Sequence, residues 1–277
     1  MEGTATAIDP GAHTVSVRTA TGDLTLTYDQ LVLAMGSELS RPPLPGLKEY
    51  AFSVDTYQEA QVFAGHLASL RHRTDAARTA VVAGSGLEVA TTLVGRLRQA
   101  AGEARQAAVR VVLVEKQAQL ALDLGDEARQ VVAQALQALG VTVRLGVLIT
   151  GITPAGVTLS TGEFIPAATT VWTAGVRANH LAAGLPVTRD ALGRLPVDPT
   201  LRVAGRADIF AAGDVARAMA DATHVAPMTC QHAMPQGKVA GHNAACALLG
   251  QPLRPAQPGE AHGGAPRLTV RSAPLPR

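Results

Sequence analysis

Cysteine is scarce in this sequence, which has two cysteines among 277 residues. Cys230 and Cys246 are too few for a disulfide framework, and their spacing matches neither a CxxC motif nor a zinc finger. No apolar run approaches the roughly 18 residues needed to span a bilayer, and the first residues lack the apolar core of a signal peptide. We therefore expect neither export nor a membrane span, and we predict a cytoplasmic protein.

An excess of one charge is also missing, because 24 Lys and Arg residues face 22 Asp and Glu residues and leave a net charge of +2. Nucleic-acid binding relies on a clustered basic surface, so we expect no nucleic-acid partner. Hydrophobic residues make up 47% of the chain, which excludes disorder for most of it. The length fits one or two domains with a sizeable core.

Strand patterns open the chain and a helix follows them. Alternating residues over 4–26 predict a meander, and the unbroken apolar run at 31–34 predicts a buried parallel strand. Helical spacing over 55–70 predicts a helix with Asp55 or Thr56 as its N-cap.

Strands and helices then alternate through the middle of the chain. The hydrophobic periodicity predicts strand 81–83, helix 88–101, strand 109–114, helix 127–139 and strand 141–145. Alternation of this kind predicts a right-handed parallel βαβ sheet.

The remaining sequence returns to strands before a closing helix. Turn residues within 149–161 predict a second meander, and a strand is predicted at 170–173. A buried strand at 209–211 leads into a Gly-Asp pair, and helical spacing at 236–249 predicts the closing helix.

The most informative motif is a glycine turn between a predicted strand and a predicted helix, Gly84-Ser85-Gly86. Glycines at such a turn let the backbone approach a pyrophosphate, whose charge is met by the helix N-terminus. The next strand ends in Glu115, an acid that can accept hydrogen bonds from an adenosine ribose and thereby favours NADH over NADPH. Val89 stands where the full fingerprint has its third glycine, so an ordinary tight βα turn remains the alternative.

The order of four motifs resembles the FAD-dependent pyridine nucleotide–disulfide oxidoreductases. These motifs are YDQLVLAMGS at 28–37, the GxG turn with its acid, WTAGV at 172–176 and DIFAAGD at 208–214. The segment PMTCQHAMPQGK at 227–238 is similar to the flavin-covering segment of the type II NADH dehydrogenase (NADH:quinone oxidoreductase) branch.

This resemblance implies an α/β fold with two Rossmann-like dinucleotide-binding domains and additional β-meanders. The NAD(P)-binding domain is expected to be inserted in an incomplete FAD-binding domain. The implied boundaries are a partial FAD-binding domain at 1–55, a connector helix at 56–77, an NAD(H)-binding domain at 78–175, the C-terminal part of the FAD-binding domain at 176–253 and a disordered Pro-rich tail at 254–277.

The resemblance also implies residues that hold FAD. The backbone of Ala34, Met35 and Gly36 would pack against the dinucleotide. Gly213 and Asp214 would meet its ribityl-pyrophosphate portion, with the carboxylate accepting hydroxyl hydrogen bonds.

Two residues of the 227–238 segment would lie beside the isoalloxazine. These are Gln231, which would face the quinone as a catalytic residue, and His232.

A second set of residues would hold NADH. Gly84, Ser85 and Gly86 would cradle its pyrophosphate, and Glu115 would hold its ribose. Gly175 would lie where NADH crosses the domain interface.

The resemblance further places a catalytic acid at the nicotinamide–flavin junction. Glu88 is the candidate, and its match to the family motif needs a two-residue gap in the glycine loop.

The implied function is that of a flavin-dependent NADH oxidoreductase with FAD and NADH as cofactors. Hydride would pass from NADH to the flavin, and electrons would continue to a quinone-like acceptor. The alternatives are another flavoprotein reductase of the same fold and a non-catalytic or inactive nucleotide-binding fragment. Because full-length relatives associate with the membrane surface, a peripheral position at the inner face of the membrane is the second expected location.

The family opens with a glycine fingerprint for FAD, and this chain starts after it. The strands at 31–34 and 209–211 are therefore expected to flank a central strand that the sequence does not encode. An apolar sheet edge left open in this way favours self-association, and we expect the chain alone to bind FAD poorly or not at all.

A metal site is the alternative interpretation of four side chains near the flavin-covering segment: Asp221, His224, Cys230 and His232. Their spacing matches no zinc pattern. We therefore expect no metal.

Overall fold

A computed structural model of the chain describes residues 2–70, 78–121 and 125–256, except for the side chain of Ala104. The expected Pro-rich tail from residue 257 onward and the end of the expected connector helix, 71–77, lie outside the described residues. The strands are β1 (Gly3–Asp9), β2 (Thr14–Thr19), β3 (Gly22–Thr27), β4 (Leu31–Leu33), β5 (Ser37–Leu39), β6 (Thr79–Ala83), β7 (Arg110–Glu115), β8 (Val141–Leu145), β9 (Ile149–Thr153), β10 (Gly156–Leu159), β11 (Phe164–Pro166), β12 (Thr169–Trp172), β13 (Val176–Ala178), β14 (Leu195–Pro196), β15 (Ile209–Ala211) and β16 (Ala216–Arg217). The α-helices are α1 (Leu47–Tyr50), α2 (Tyr57–Ser69), α3 (Leu87–Ala101), α4 (Asp126–Leu139) and α5 (Cys230–Leu248).

The described residues fall into two compact units, one within Leu39–Gly175 and the other within Met1–Glu38 and Val176–Arg277. Residues 39–55, which we expected in the first FAD-binding segment, group with the first of these units. The backbone of Phe52 explains this grouping, since its N–H donates to the Thr170 carbonyl at 2.8 Å and its carbonyl accepts from Trp172 at 2.8 Å.

The unit within Leu39–Gly175 is built on a four-stranded parallel sheet in the order β12-β6-β7-β8. Alternate residues of β6 enter two different cores. Val82 packs with Phe63 of α2 and Leu93 of α3, whereas Val81 packs with Val157 of β10. The sheet is therefore covered by helices on one face and by the antiparallel sheet β11-β10-β9 on the other, which explains why its central strands β6 and β7 are almost continuously buried.

The helices of this unit begin and end as their sequences predict. Thr56 is the N-cap of α2, where its hydroxyl accepts from the Glu59 N–H and the Glu59 carboxylate accepts in return from the Thr56 N–H. Helix α4 ends at Gly140, whose φ of 77° is a left-handed value that suits glycine.

The second unit contains the parallel pair β4–β15, with Leu31 opposite Ile209 and Leu33 opposite Ala211. The expectation of a further strand between them is wrong, because the two strands bond to each other directly. Phe210 of β15 packs against α5, and the neighbouring side chains of β15 enter a core on the opposite face.

A three-stranded antiparallel meander, β1-β2-β3, also belongs to this unit, as the alternation predicts. Helix α5 begins at Cys230, six residues earlier than expected. The Thr229 carbonyl starts the helix by accepting from the N–H groups of His232 and Ala233 at 3.1 and 3.0 Å, and Pro235 lies inside it. Within the described ranges, no helix combines the length and apolar character needed to cross a membrane.

Candidate functional site

The glycine loop of the Leu39–Gly175 unit joins β6 to α3. Gly84 has a φ of 90°, and a Cβ at this position would lie 2.6 Å from the Cα of Ala174. A Cβ on Gly86 would overlap Oγ1 of Thr173. Both glycines are therefore required by the close approach of the segment that follows β12.

The N-terminus of α3 opens directly from this loop. Gly86 is the N-cap and provides no side-chain hydrogen bond to the first turn. Free N–H groups at a helix N-terminus, together with the helix dipole, favour an anion such as a pyrophosphate. The intervening residue, Ser85, is exposed, so the loop presents its polar atoms to solvent.

Glu115 lies beside the loop because β6 and β7 are neighbouring parallel strands whose carboxyl ends share one edge of the sheet. Its side chain is 4% exposed. Its Oε2 accepts from the Ser85 hydroxyl at 2.7 Å, and its Oε1 accepts from the Gln117 N–H at 2.9 Å. Each carboxylate oxygen retains a further lone pair, so the pair of oxygens can still accept from a ribose diol.

Glu88 lies apart from this arrangement. It is exposed in the first turn of α3 and lines a cavity of about 430 Å³ between α2 and α3, together with Phe63, Leu67 and Arg96. Gly175, the last residue of the unit, has a φ of 75° and accepts from the Ser40 N–H at 2.9 Å.

The second unit brings together the residues expected at FAD. Because β4 and β15 run parallel, the segments that follow them are adjacent, and the Ser37 hydroxyl donates to Oδ2 of Asp214 at 2.7 Å. Gly36 has a φ of 69° and open space where a Cβ would lie. Of the two residues before it, Ala34 is exposed, whereas Met35 packs into the core.

Sequence reasoning missed Gln236. Its side chain is 8% exposed, and its Oε1 accepts from the Gly213 N–H at 2.8 Å. Gly213 has a φ of 72° and starts the turn that carries Asp214. The signal was present in α5, since Gln236 shares the helical spacing of the buried residues Val239 and Ala240.

The remaining candidates lie at the start of α5 and in a separate turn. Gln231 is exposed, and Nδ1 of His232 lies 2.9 Å from the Thr229 hydroxyl. Nδ1 of His224 instead lies 2.8 Å from Oδ2 of Asp221. Hydrogen bonds from backbone N–H groups hold the pKa of the Asp221 carboxyl group well below its usual value. Among the described residues, no group of three or more His, Cys, Asp or Glu side chains is placed to hold a metal ion.

Comparison with known protein families identifies the family to which this chain belongs. The sequence model of the family described as "Pyridine nucleotide-disulphide oxidoreductase" matches residues 1–237 of this chain. The chain belongs to the pyridine nucleotide-disulphide oxidoreductase family. This confirms the α/β fold with Rossmann-like dinucleotide-binding domains. A member of known structure is described as FAD-dependent, and the family name specifies a pyridine nucleotide; these are the cofactor classes that the sequence resemblance implies.

Individual relatives are similar over most of this chain. NADH dehydrogenase-like protein MT1860 of Mycobacterium tuberculosis is 47% identical over 253 residues, which are 90% of this chain and 62% of that protein. Demethylphylloquinone reductase NdbB of Synechocystis is 31% identical over 240 residues, which are 84% of this chain and 57% of that protein. The chain thus spans about three fifths of the length of these relatives.

A solved structure shows the same similarity in three dimensions. The FAD-dependent pyridine nucleotide-disulphide oxidoreductase from Desulfovibrio vulgaris has a TM-score of 0.69 and 29% sequence identity to this chain. The similarity covers 92% of this chain and 63% of the other.

Proposed function

We propose that this chain acts as an NADH-dependent flavoprotein oxidoreductase that delivers electrons to a quinone-like acceptor. The observation that carries the proposal is the joining of the glycine loop to the buried Glu115 carboxylate through the 2.7 Å hydrogen bond from Ser85. Pyrophosphate and ribose recognition in a dinucleotide-binding unit require a glycine loop and an acid at these two positions.

NADH is assigned to the Leu39–Gly175 unit. The N–H groups at the start of α3 would bind its pyrophosphate, and the backbone can come close because Gly84 and Gly86 carry no Cβ. The Glu115 carboxylate would accept from the hydroxyls of the adenosine ribose. Glu88, at the start of α3, is proposed as the acid near the nicotinamide, and Gly175 as a backbone contact of NADH.

FAD is assigned to the second unit, where the residues after β4 and β15 fit part of a dinucleotide. The Ser37 hydroxyl holds one oxygen of Asp214, which leaves the other oxygen free to accept from ribityl hydroxyls. Gly36 and Gly213 keep the backbone accessible there, with Ala34 and Met35 on the adjoining backbone. When bound, FAD supplies the redox chemistry, since no side chain has to change oxidation state.

The acceptor is proposed to be a quinone, and the names of two relatives support this, namely demethylphylloquinone reductase NdbB and the type II NADH:quinone oxidoreductase of Staphylococcus haemolyticus. The latter is 28% identical over 229 residues. Gln231 and His232 would lie beside the flavin, with the exposed Gln231 side chain toward the acceptor. A quinone dissolved in lipid would be reached from the membrane surface, which supports a peripheral position.

An anaerobic mixing experiment tests the proposal. The full chain is combined with NADH and with FAD in large excess, so that a weak FAD site is also occupied. Loss of the flavin's visible absorbance is followed before a water-soluble quinone is added. We expect absorbance loss faster than in FAD and NADH without protein, and its return on quinone addition. Rates equal to those of the protein-free mixture would contradict the proposal.

A control variant distinguishes a specific role of Glu115 at the NADH site from the loss of any acidic side chain in this unit. The variant Glu163→Gln changes an exposed acid in the same unit and is expected to match the unmodified chain, whereas Glu115→Gln is expected to slow flavin reduction at low NADH.

A further inference from the structure

We propose that Ser85 is a positioning residue that sets the preference for NADH over NADPH by holding the Glu115 carboxylate in place. The inference rests on the proposed function, because it concerns the same nucleotide site. Among the described residues, the Ser85 hydroxyl is the side-chain donor to this carboxylate, and the Gln117 N–H is its backbone donor.

The carboxylate needs these donors because it is nearly buried. At 4% exposure, few water molecules can reach the carboxylate, so its orientation is set by the protein donors around it. The direction in which the carboxylate faces the nucleotide therefore depends on the donors that Glu115 keeps.

The geometry also assigns the remaining acceptor positions. Ser85 engages Oε2 and Gln117 engages Oε1, so each oxygen keeps one lone pair that these donors do not use. A ribose diol offers two neighbouring hydroxyl donors that match this pair. The 2′-phosphate of NADPH offers no such donor and brings further negative charge to the carboxylate.

The loop around Ser85 is shaped by other residues. Gly84 donates its N–H to the Val114 carbonyl at 2.8 Å and packs against Ala174, and Gly86 packs against Thr173. The exposed Ser85 side chain contributes its hydroxyl to Glu115 without supporting this packing. Removal of the hydroxyl is therefore expected to change the carboxylate and leave the loop backbone as it is.

The test is calorimetric titration of the full chain with NADH and, separately, with NADPH. Variants are Ser85→Ala, the hydroxyl-retaining Ser85→Thr, and Ser69→Ala as the matched control. Ser69 is also an exposed serine in this unit with a 2.7 Å hydrogen bond, which it donates to the His66 carbonyl on α2.

We expect Ser85→Ala to weaken NADH binding about tenfold, as for loss of a hydrogen bond to a charged group, and to lower the NADH-to-NADPH affinity ratio by a similar factor. Ser85→Thr should retain most of the ratio, and Ser69→Ala all of it. Equal weakening of both nucleotides in Ser85→Ala would show a merely structural role and overturn the inference. Unchanged binding of both nucleotides would overturn it too, and either result would leave the proposed function intact. Failure of the unmodified chain to bind NADH would overturn both.

Discussion

Replacement of Gly84 by alanine tests whether the glycine loop requires a residue without a side chain at this position. An alanine at a φ of 90° carries a strain of about 1–2 kcal/mol. Its Cβ would also lie 2.6 Å from the Cα and 2.9 Å from the N of Ala174, and such overpacking costs about 1–3 kcal/mol. The sum, about 2–5 kcal/mol, would lower the midpoint of thermal unfolding by about 5–15 °C.

A second glycine in α3 provides the control. Gly95 lies within the helix, and a Cβ there would meet no heavy atom within 4 Å. Gly95→Ala should therefore stabilise the chain by up to about 1 kcal/mol, through better helix propensity. Differential scanning fluorimetry of both variants measures the contrast. If Gly84→Ala melts at the temperature of the unmodified chain, the close approach to Ala174 is not a constraint on the loop.

Three further changes probe the rest of the structure. Gln236→Met leaves the Gly213 N–H without its acceptor and should cost about 1–3 kcal/mol in urea unfolding; a cost near zero would refute the role of this contact. Asn243 is fully buried and makes three hydrogen bonds at 2.8–3.0 Å. Asn243→Leu should therefore lower the free energy of unfolding by at least about 3 kcal/mol. A variant as stable as the unmodified chain would show that these bonds contribute little. Burial raises the pKa of Asp190, but hydrogen bonds from the backbone and guanidinium of Arg194 outweigh it and leave the pKa below its usual value. The ionised carboxylate therefore stabilises the fold above about pH 4, so Asp190→Asn should be destabilised by about 1–3 kcal/mol at pH 7. That difference should shrink as the pH falls through the depressed pKa, and a pH-independent difference would contradict the assignment.

The unit within Leu39–Gly175 was largely predictable because its signals are local. Hydrophobic periodicity located strands and helices from β6 to β8 within about two residues, since each buried strand is short and each helix has one apolar face. The proximity of the glycine loop to Glu115 also followed from sequence, because neighbouring parallel strands end at the same edge of their sheet.

Longer-range features were not predictable in the same way. The direct pairing of β4 with β15 joins segments about 180 residues apart in sequence, and apolar character alone does not specify which strand is the neighbour. The early start of α5 was missed because Pro235 is a helix-breaking residue by propensity, whereas the Thr229 carbonyl starts the helix before it. The Gln236–Gly213 contact required the packing of α5 against the turn after β15.

Glutamate and glutamine have nearly the same shape, and this makes Glu115→Gln the most direct probe of the assignment of NADH to the glycine loop. Equilibrium titration of the full chain with NADH should give saturable binding of one molecule per chain, and the variant should bind about tenfold more weakly because its amide oxygen is a weaker acceptor than a carboxylate. Equal affinity in the two proteins, or no saturable binding in the unmodified chain, would contradict the account.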